Sequence, residues 1–277
     1  MKNQKEVKKL NKYRIIDAHC HIYPDKIAEK ASLSTGKFYD ITMTYDGKVS
    51  TLKEVGERGG IDHFIVQSVA TKPEQVSSIN RFIAQAVAES GGKMTGLGTL
   101  HPDSPDQAAD VEELISLGLR GVKLHPDIQG FKIDDYRCLK IYELCEGRLP
   151  ILFHTGDKRY DMSNPNRLVP ILETYTDLTV IGAHFGGYSV WEDAERELPG
   201  FKKLFVDCSS SFFAMTDDEI RCAINAFGTD RVLFGTDYPM WDAEAEVKRL
   251  LSLGLSHEDY EKIFHKNAEK LFGISAN

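Results

Sequence analysis

The feature that most constrains this chain is a repeated alternation. Eight short apolar or β-branched runs, at 14–21, 63–70, 94–101, 119–126, 150–156, 178–186, 204–211 and 232–239, predict strands. Between them lie stretches of helical period: 73–90, 104–117, 134–146, 166–173, 188–198, 216–227 and 243–253, with a further closing helix at 256–272. In 73–90, Val76, Ile79, Ile83 and Val87 form one stripe. At 216–227, Thr216 and Glu219 predict a capping box, and Gly228 a stop. Strands separated by helices pair in parallel. Eight such units within 277 residues predict a (β/α)8 TIM barrel spanning 1–277 as a single domain. An open doubly wound sheet is the alternative, but GxGxxG and Walker A sequences are absent. The segment 22–50 stands out as a long polar first βα connection containing Gly36 and Gly47, of the kind used as a lid or site loop.

Composition excludes several classes of function. Asp+Glu total 42 against Lys+Arg 34, a net charge of −8, which argues against nucleic acid or an anionic membrane as partner. No run approaches the roughly 18 apolar residues of a membrane span. The five cysteines, none at CxxC spacing, predict neither a disulfide framework nor a zinc ribbon, and fit a reducing cytoplasm. Residues 1–14 are basic with no apolar stretch behind them, so no secretory leader is expected there.

The histidines carry the functional signal. Six of nine (His19, His21, His101, His125, His154 and His184) fall at the C-terminal end of a predicted strand, the rim on which barrel enzymes place their chemistry. In DAHCH, His19 and His21 are two apart on a strand and share a face, while Cys20 points the other way. His154 closes PILFH and His184 closes VIGAH, with glycines behind it that permit a tight turn. Asp237, in LFGTDYP, is an acid after an apolar run, costly unless paired or bound to metal; a turn cap is the plainer reading. Lys123 and His125, in GVKLHP, share a face at the fourth strand end. Lys123 either meets an anion or snorkels to the rim. With Lys158 and Arg159 it forms a candidate clamp for a carboxylate, a solvated loop being the alternative for these residues. Phe212, Phe213, Tyr238 and Trp241 follow the last two strands and are candidates to wall an aromatic substrate, or plain loop packing.

Taken in order, these motifs resemble the amidohydrolase superfamily, and within it the amidohydrolase-related group that includes aminocarboxymuconate-semialdehyde decarboxylase, resorcylate-type decarboxylases and dicarboxylate lactonases. The resemblance runs from DAHCH to NAEKLFGI. It implies one divalent metal, zinc first, held by His19, His21, His154 and Asp237, with His184 orienting or deprotonating a bound water. Lys123 falls near the position of the carboxylated bridging lysine of binuclear members, a minority reading here. Manganese, cobalt and iron suit the same ligands. Lys123, His125 and Arg159 are then substrate-binding or supporting residues for a small anionic substrate. A homodimer accords with the resemblance.

An ion in such a set makes hydroxide available near neutral pH, so the first expectation is hydrolysis of a small carboxylated ester, lactone or amide, with His184 and Asp237 as catalytic groups. The alternative is non-oxidative decarboxylation of an aromatic or unsaturated carboxylate. An inactive structural homologue is the minor alternative.

Overall fold

The computed structural model describes residues 13–275. The expectation of no leader at 1–14 falls almost entirely outside them. Nine parallel strands surround the molecular axis: β1 Ile16–His21, β2 His63–Gln67, β3 Met94–Gly96, β4 Gly98–Thr99, β5 Val122–Leu124, β6 Ile151–Phe153, β7 Val180–Gly182, β8 Leu204–Asp207 and β9 Val232–Leu233. They pair in chain order as β1-β2-β3 and as β4 through β9. β3 and β4 are two halves of the one run predicted at 94–101. Leu97 N donates to Val66 O on one side and Gly98 N to Gly121 O on the other, so the neighbours change at that point. The ring is completed by Ala18 N donating to Phe234 O (2.8 Å), His21 N donating to Tyr238 O (2.7 Å) and a Cys20–Tyr238 bridge. The eight-unit barrel is thus the architecture found.

Two apolar layers hold it. Ile16, Ala18, Ile65, Leu97, Leu152, Ile181 and Leu233 fill the barrel, and Ala268 and Phe272 of the last helix pack onto the same cluster. Val66, Val122, Leu124, Ile151, Phe153, Val180 and Val206 face outward into the layer between strands and helices. Successive strand residues alternate between the two, as the pleat requires. The predicted closing helix is divided, His257–Glu261 and Asn267–Phe272 flanking a π turn at Lys262–Lys266. All five cysteines are free. No helix among the described residues is long and apolar enough to cross a membrane.

The first connection differs from the polar loop expected at 22–50. It contains a helix, α1 (Ala28–Tyr39), and a second helix, α2 (Val49–Gly59), begins within it and leads to β2. α1 buries Ala28, Ser32 and Gly36, a stripe too small and polar to register as an apolar face. At Gly36 a Cβ would lie 2.6 Å from Ile41 O, so only glycine lets the chain turn back there. α2 buries Leu52, Val55, Gly56 and Gly59 and is the outer helix of the first unit.

Candidate active site

Five of the six strand-end histidines (His19, His21, His125, His154 and His184) line one cavity of about 470 Å3 at the C-terminal rim, together with Lys123 and Asp237. His101 lies outside it; its Nδ1 accepts from Asp103 N at 3.2 Å and fixes the following turn.

His19 and His21 share a face as the spacing predicts, with Nε2 atoms 3.2 Å apart. Asp237 Oδ1 is 3.4 Å from the first and 3.6 Å from the second. A tetrahedral zinc with bonds of about 2.1 Å sets its donors about 3.4 Å apart, so the triangle has the size of one face of such a site. The tautomers agree. His19 Nδ1 donates to Asp207 Oδ2 at 2.9 Å, which leaves Nε2 bare toward His21. The bare His19 Nε2, the Asp237 carboxylate and His21 Nε2 converge in a buried space, a donor set that a cation between them would satisfy. Lys123 Nζ, 3.3 Å from His19 Nε2, supplies one positive charge nearby.

His154 is not in that triangle. Its Nδ1 is 3.1 Å from His184 Nε2, its Nε2 faces Asp127 Oδ2 at 3.7 Å, and its ring stacks on His125 at 4.1 Å between centroids. The structure therefore brings together three of the four expected ligands and places the fourth on the adjoining wall beside His184. His184 Nδ1 donates to Ser209 O (2.9 Å), leaving Nε2 as the bare nitrogen.

Burial sets the charges. It lowers the Lys123 ammonium from its ordinary value to about 8 and the His184 imidazolium to about 4, and it holds His21, His125 and His154 well below the ordinary histidine value. For Asp237, burial pushes upward, but His19, His184 and the Ser210 hydroxyl (2.5 Å from Oδ2) outweigh it and keep the carboxyl below its ordinary value. Asp207 follows the same pattern: burial raises it, and His19, His184 and Ser209 outweigh that rise.

The backbone is bent where these side chains emerge. His184, Phe185, Ser210 and Asp237 all have positive φ, between 46° and 60°. Each such residue costs on the order of 1–3 kcal/mol, and conformations of this kind cluster at functional sites. Gly235 permits a close approach: a Cβ there would lie 3.0 Å from His19 Cβ and 3.3 Å from Ser209 Cβ.

The carboxylate-clamp candidacy of Arg159 needs correction. Arg159 does not reach into the cavity. Its guanidinium is held by both Asp157 carboxylate oxygens and by Phe38 O (2.6 Å), and it lies over the Phe38, Tyr39 and Tyr160 rings. It braces α1. Phe212, Phe213, Tyr238 and Trp241 do not line the cavity, which fits the plain loop packing given as their alternative; Phe213 stacks on Trp241 at the half-exposed rim. The apolar wall comes from α1 and its neighbours, through Ile27, Ala31, Phe38, Tyr39, Met43 and Phe82.

Sequence reasoning passed over Asp207, Asp127 and Tyr39. Asp207 ends the run LFVD, the same signal that marked Asp237. Asp127 sits two residues past His125, and Tyr39 lay in the segment read as a loop. Tyr39 Oη is 2.6 Å from His125 Nε2.

A family model described as amidohydrolase matches residues 16–274. Among curated proteins, gamma-resorcylate decarboxylase of Polaromonas sp. is 26% identical over 121 aligned residues, 38% of this chain and 37% of that protein. A 2-amino-3-carboxymuconate-6-semialdehyde decarboxylase of Dictyostelium discoideum is 22% identical over 246 aligned residues, 72% of this chain and 66% of that protein. The chain thus spans less than two thirds of either relative. Among solved structures, an uncharacterized TIM-barrel protein of Bordetella bronchiseptica superposes with a TM-score of 0.78 at 21% identity, covering 94% of this chain and 98% of that one. A dihydroxybenzoic acid decarboxylase of Polaromonas sp., with bound manganese and the inhibitor 2-nitroresorcinol, gives 0.72 at 15% identity, covering 96% and 98%.

Proposed function

Because this chain belongs to the amidohydrolase family, we propose that it is a metal-dependent carboxy-lyase acting on a small aromatic or unsaturated carboxylate. The observation that carries this reading is the floor of the cavity: three converging metal-type donors and a buried ammonium, beneath a wall of apolar side chains interspersed with Ser34, Thr35, Ser68, Thr71, Gln75 and Ser78. Hydrolysis, the first expectation from the sequence, gives way because the named relatives that support the assignment are decarboxylases.

His19, His21 and Asp237 would hold a divalent ion, with His154 and His184 on the adjoining wall. Imidazole with carboxylate suits zinc or manganese. Such an ion, when bound, supplies a Lewis acid that orients and polarises substrate oxygens. The chain's own groups do the rest. Lys123 Nζ neutralises the carboxylate it faces. Ser210 holds Asp237 Oδ2, leaving Oδ1 toward the cavity. Ser209 O holds His184 as the tautomer with bare Nε2. Loss of carbon dioxide requires a proton at the carbon that carried it, the electron pair of the broken C–C bond becoming the new C–H bond. His184 Nε2 and Asp237 Oδ1 hold no proton at rest, so either would act as a relay, taking a proton from water or from a hydroxyl of the substrate and passing it to that carbon.

The test is a panel of hydroxybenzoates, unsaturated carboxylates and lactones given to Zn2+- or Mn2+-loaded protein, with released carbon dioxide and newly formed acid measured separately. The reading expects carbon dioxide from at least one carboxylate. Lactone opening, with no carbon dioxide from any acid, overturns it.

A further inference from the structure

The cavity reaches well beyond its floor. The three converging metal-type donors come from β1 and the turn after β9, and the imidazoles beside them from the ends of β5, β6 and β7. The second unit of the barrel supplies none of these, yet it lines the cavity along the start of its helix, α3 (Val76–Ala88). There Gln75, Ser78, Ile79 and Phe82 are spaced i, i+3, i+4 and i+7, so they form one face. Ala31, Ser34, Thr35 and Phe38 of α1, with Ile27 just before it, line the same cavity at the same period. Two helix faces thus bound an arm of the cavity over the second unit. From the rise of an α-helix, the face on α3 is about 10 Å long. A volume of about 470 Å3 lies in the range that takes a drug-sized molecule, and a single small ring does not fill it.

The arm is uncharged. Lys123 and Asp237, the charged lining residues apart from the imidazoles, both belong to the floor. In the arm, apolar side chains are interspersed with hydroxyls whose protons are already placed. Thr35 Oγ1 donates to Ala31 O (3.2 Å), Thr71 Oγ1 to Gln75 Oε1 (3.1 Å) and Ser78 Oγ to Gln75 O (3.0 Å). Ser68 is different. It is 4% exposed and stands on the cavity wall, and its hydroxyl has no hydrogen-bond partner among the described residues. It follows Gln67, the register partner of His21 on the adjacent strand, so it sits where the floor opens into the arm. A buried hydroxyl left unpaired is costly, and an acceptor on a ligand relieves that cost.

Resting on the carboxy-lyase reading for the acid at the floor but not for the arm, we infer that the site binds a substrate in two parts. An acid-bearing unit is held at the floor, and an uncharged chain several atoms long, joined to it through an amide or another neutral hydrogen-bonding link, lies in the arm. Ser68 is the specificity residue, donating to the oxygen of that link. The chain's apolar atoms meet Ile27, Ala31, Ile79 and Phe82, where a charge would find no counter-charge.

The experiment is calorimetric titration of the Zn2+-loaded full chain with benzoate, with 3- and 4-acylaminobenzoates carrying acetyl, butanoyl or hexanoyl groups, and with alkylbenzoates of matching length that lack the amide. In the unmutated protein, affinity should rise about three- to fourfold per methylene until the arm is filled, the gain from burying each one. Ala31→Phe and Ile79→Trp obstruct the arm from different helices; in either, chain length should bring no gain while benzoate affinity is unchanged. Ser68→Ala should weaken the acylamino ligands by about three- to tenfold and leave the alkylbenzoates as they were. Affinity that does not depend on chain length in the unmutated protein would overturn the two-part site, and so would obstructed variants that keep the gain. Equal loss of both ligand types in Ser68→Ala would overturn the role of Ser68. Because the readout is binding, a chain-length gain in a protein that releases carbon dioxide from no acid counts against the reaction alone. Carbon dioxide release without a chain-length gain counts against the arm alone.

Discussion

Asp207→Asn tests the donor set through a residue that touches no substrate. Asp207 Oδ2 accepts from His19 Nδ1 at 2.9 Å, while Oδ1 accepts from His184 N (3.2 Å), Ser209 N (3.0 Å) and the Ser209 hydroxyl (2.5 Å). Three donors converge on Oδ1, so an asparagine keeps its oxygen there and turns its amide toward His19. That amide presents hydrogens where His19 now donates one. His19 must move its proton to Nε2, the atom facing His21 and Asp237, and so lose its place in the triangle. A charge-assisted hydrogen bond is worth about 1.5–3 kcal/mol, and loss of such a partner to a metal-bound histidine typically weakens the metal by about 10–100-fold. Competition between the protein and a chromophoric chelator for Zn2+ measures this directly. The expected order is unmutated protein tightest, Asp207→Asn weaker by one to two decades, and His19→Ala weakest. Unmutated affinity in Asp207→Asn, with folding intact by circular dichroism, would refute the tautomer argument and with it the assignment of His19 Nε2 as a donor.

His184→Asn should keep most of the metal but lose at least about a hundredfold in kcat, a loss of about 3 kcal/mol; metal analysis beside kinetics checks it, and departure of the metal would make His184 a ligand. Gly235→Ala should weaken metal binding and turnover together with little change in global stability, since the added methyl meets His19 Cβ at 3.0 Å; unchanged metal affinity counts against it. Burial, with Asp17 adding to it, raises the Glu246 carboxyl from 4.5 to about 8. The folded chain then keeps a proton that the unfolded chain releases, so stability falls as pH rises from about 4.5 to 8. Glu246→Gln should gain on the unmutated protein by up to about 4 kcal/mol between pH 5 and 8, read from urea unfolding at each pH, at about 1.4 kcal/mol per pKa unit; a difference independent of pH would refute it.

The strands were legible because each is a short apolar run whose alternate residues fill two different cores, as Ile151 and Leu152 do on opposite faces of β6. The site was legible to the extent that polarity breaks out where such a run ends, which exposed His19, His21, His154, His184 and Asp237. α1 was not legible, because a helix that buries Ala28, Ser32 and Gly36 carries no apolar period. The role of Arg159 was not legible for a different reason. Its position after a strand end is the same whether it faces the cavity or folds back, and the choice is made by Asp157, two residues away, and by Phe38 O, 121 residues away. Distant partners of that kind also separate His154 from the His19–His21–Asp237 triangle, since local spacing does not contain the contact with His184.

The three converging donors have a second consequence through their place in the ring. His19 and His21 belong to the first strand, and Asp237 follows the last, so they straddle the one joint at which the two ends of the circle of strands meet. Two backbone bonds, a single bridge and the Asp17 carboxylate, which accepts from Thr236 N and Thr236 Oγ1, fasten that joint. A cation gripped from both sides would serve as a clasp on it, making occupancy of the mouth and integrity of the cylinder two readings of a single equilibrium.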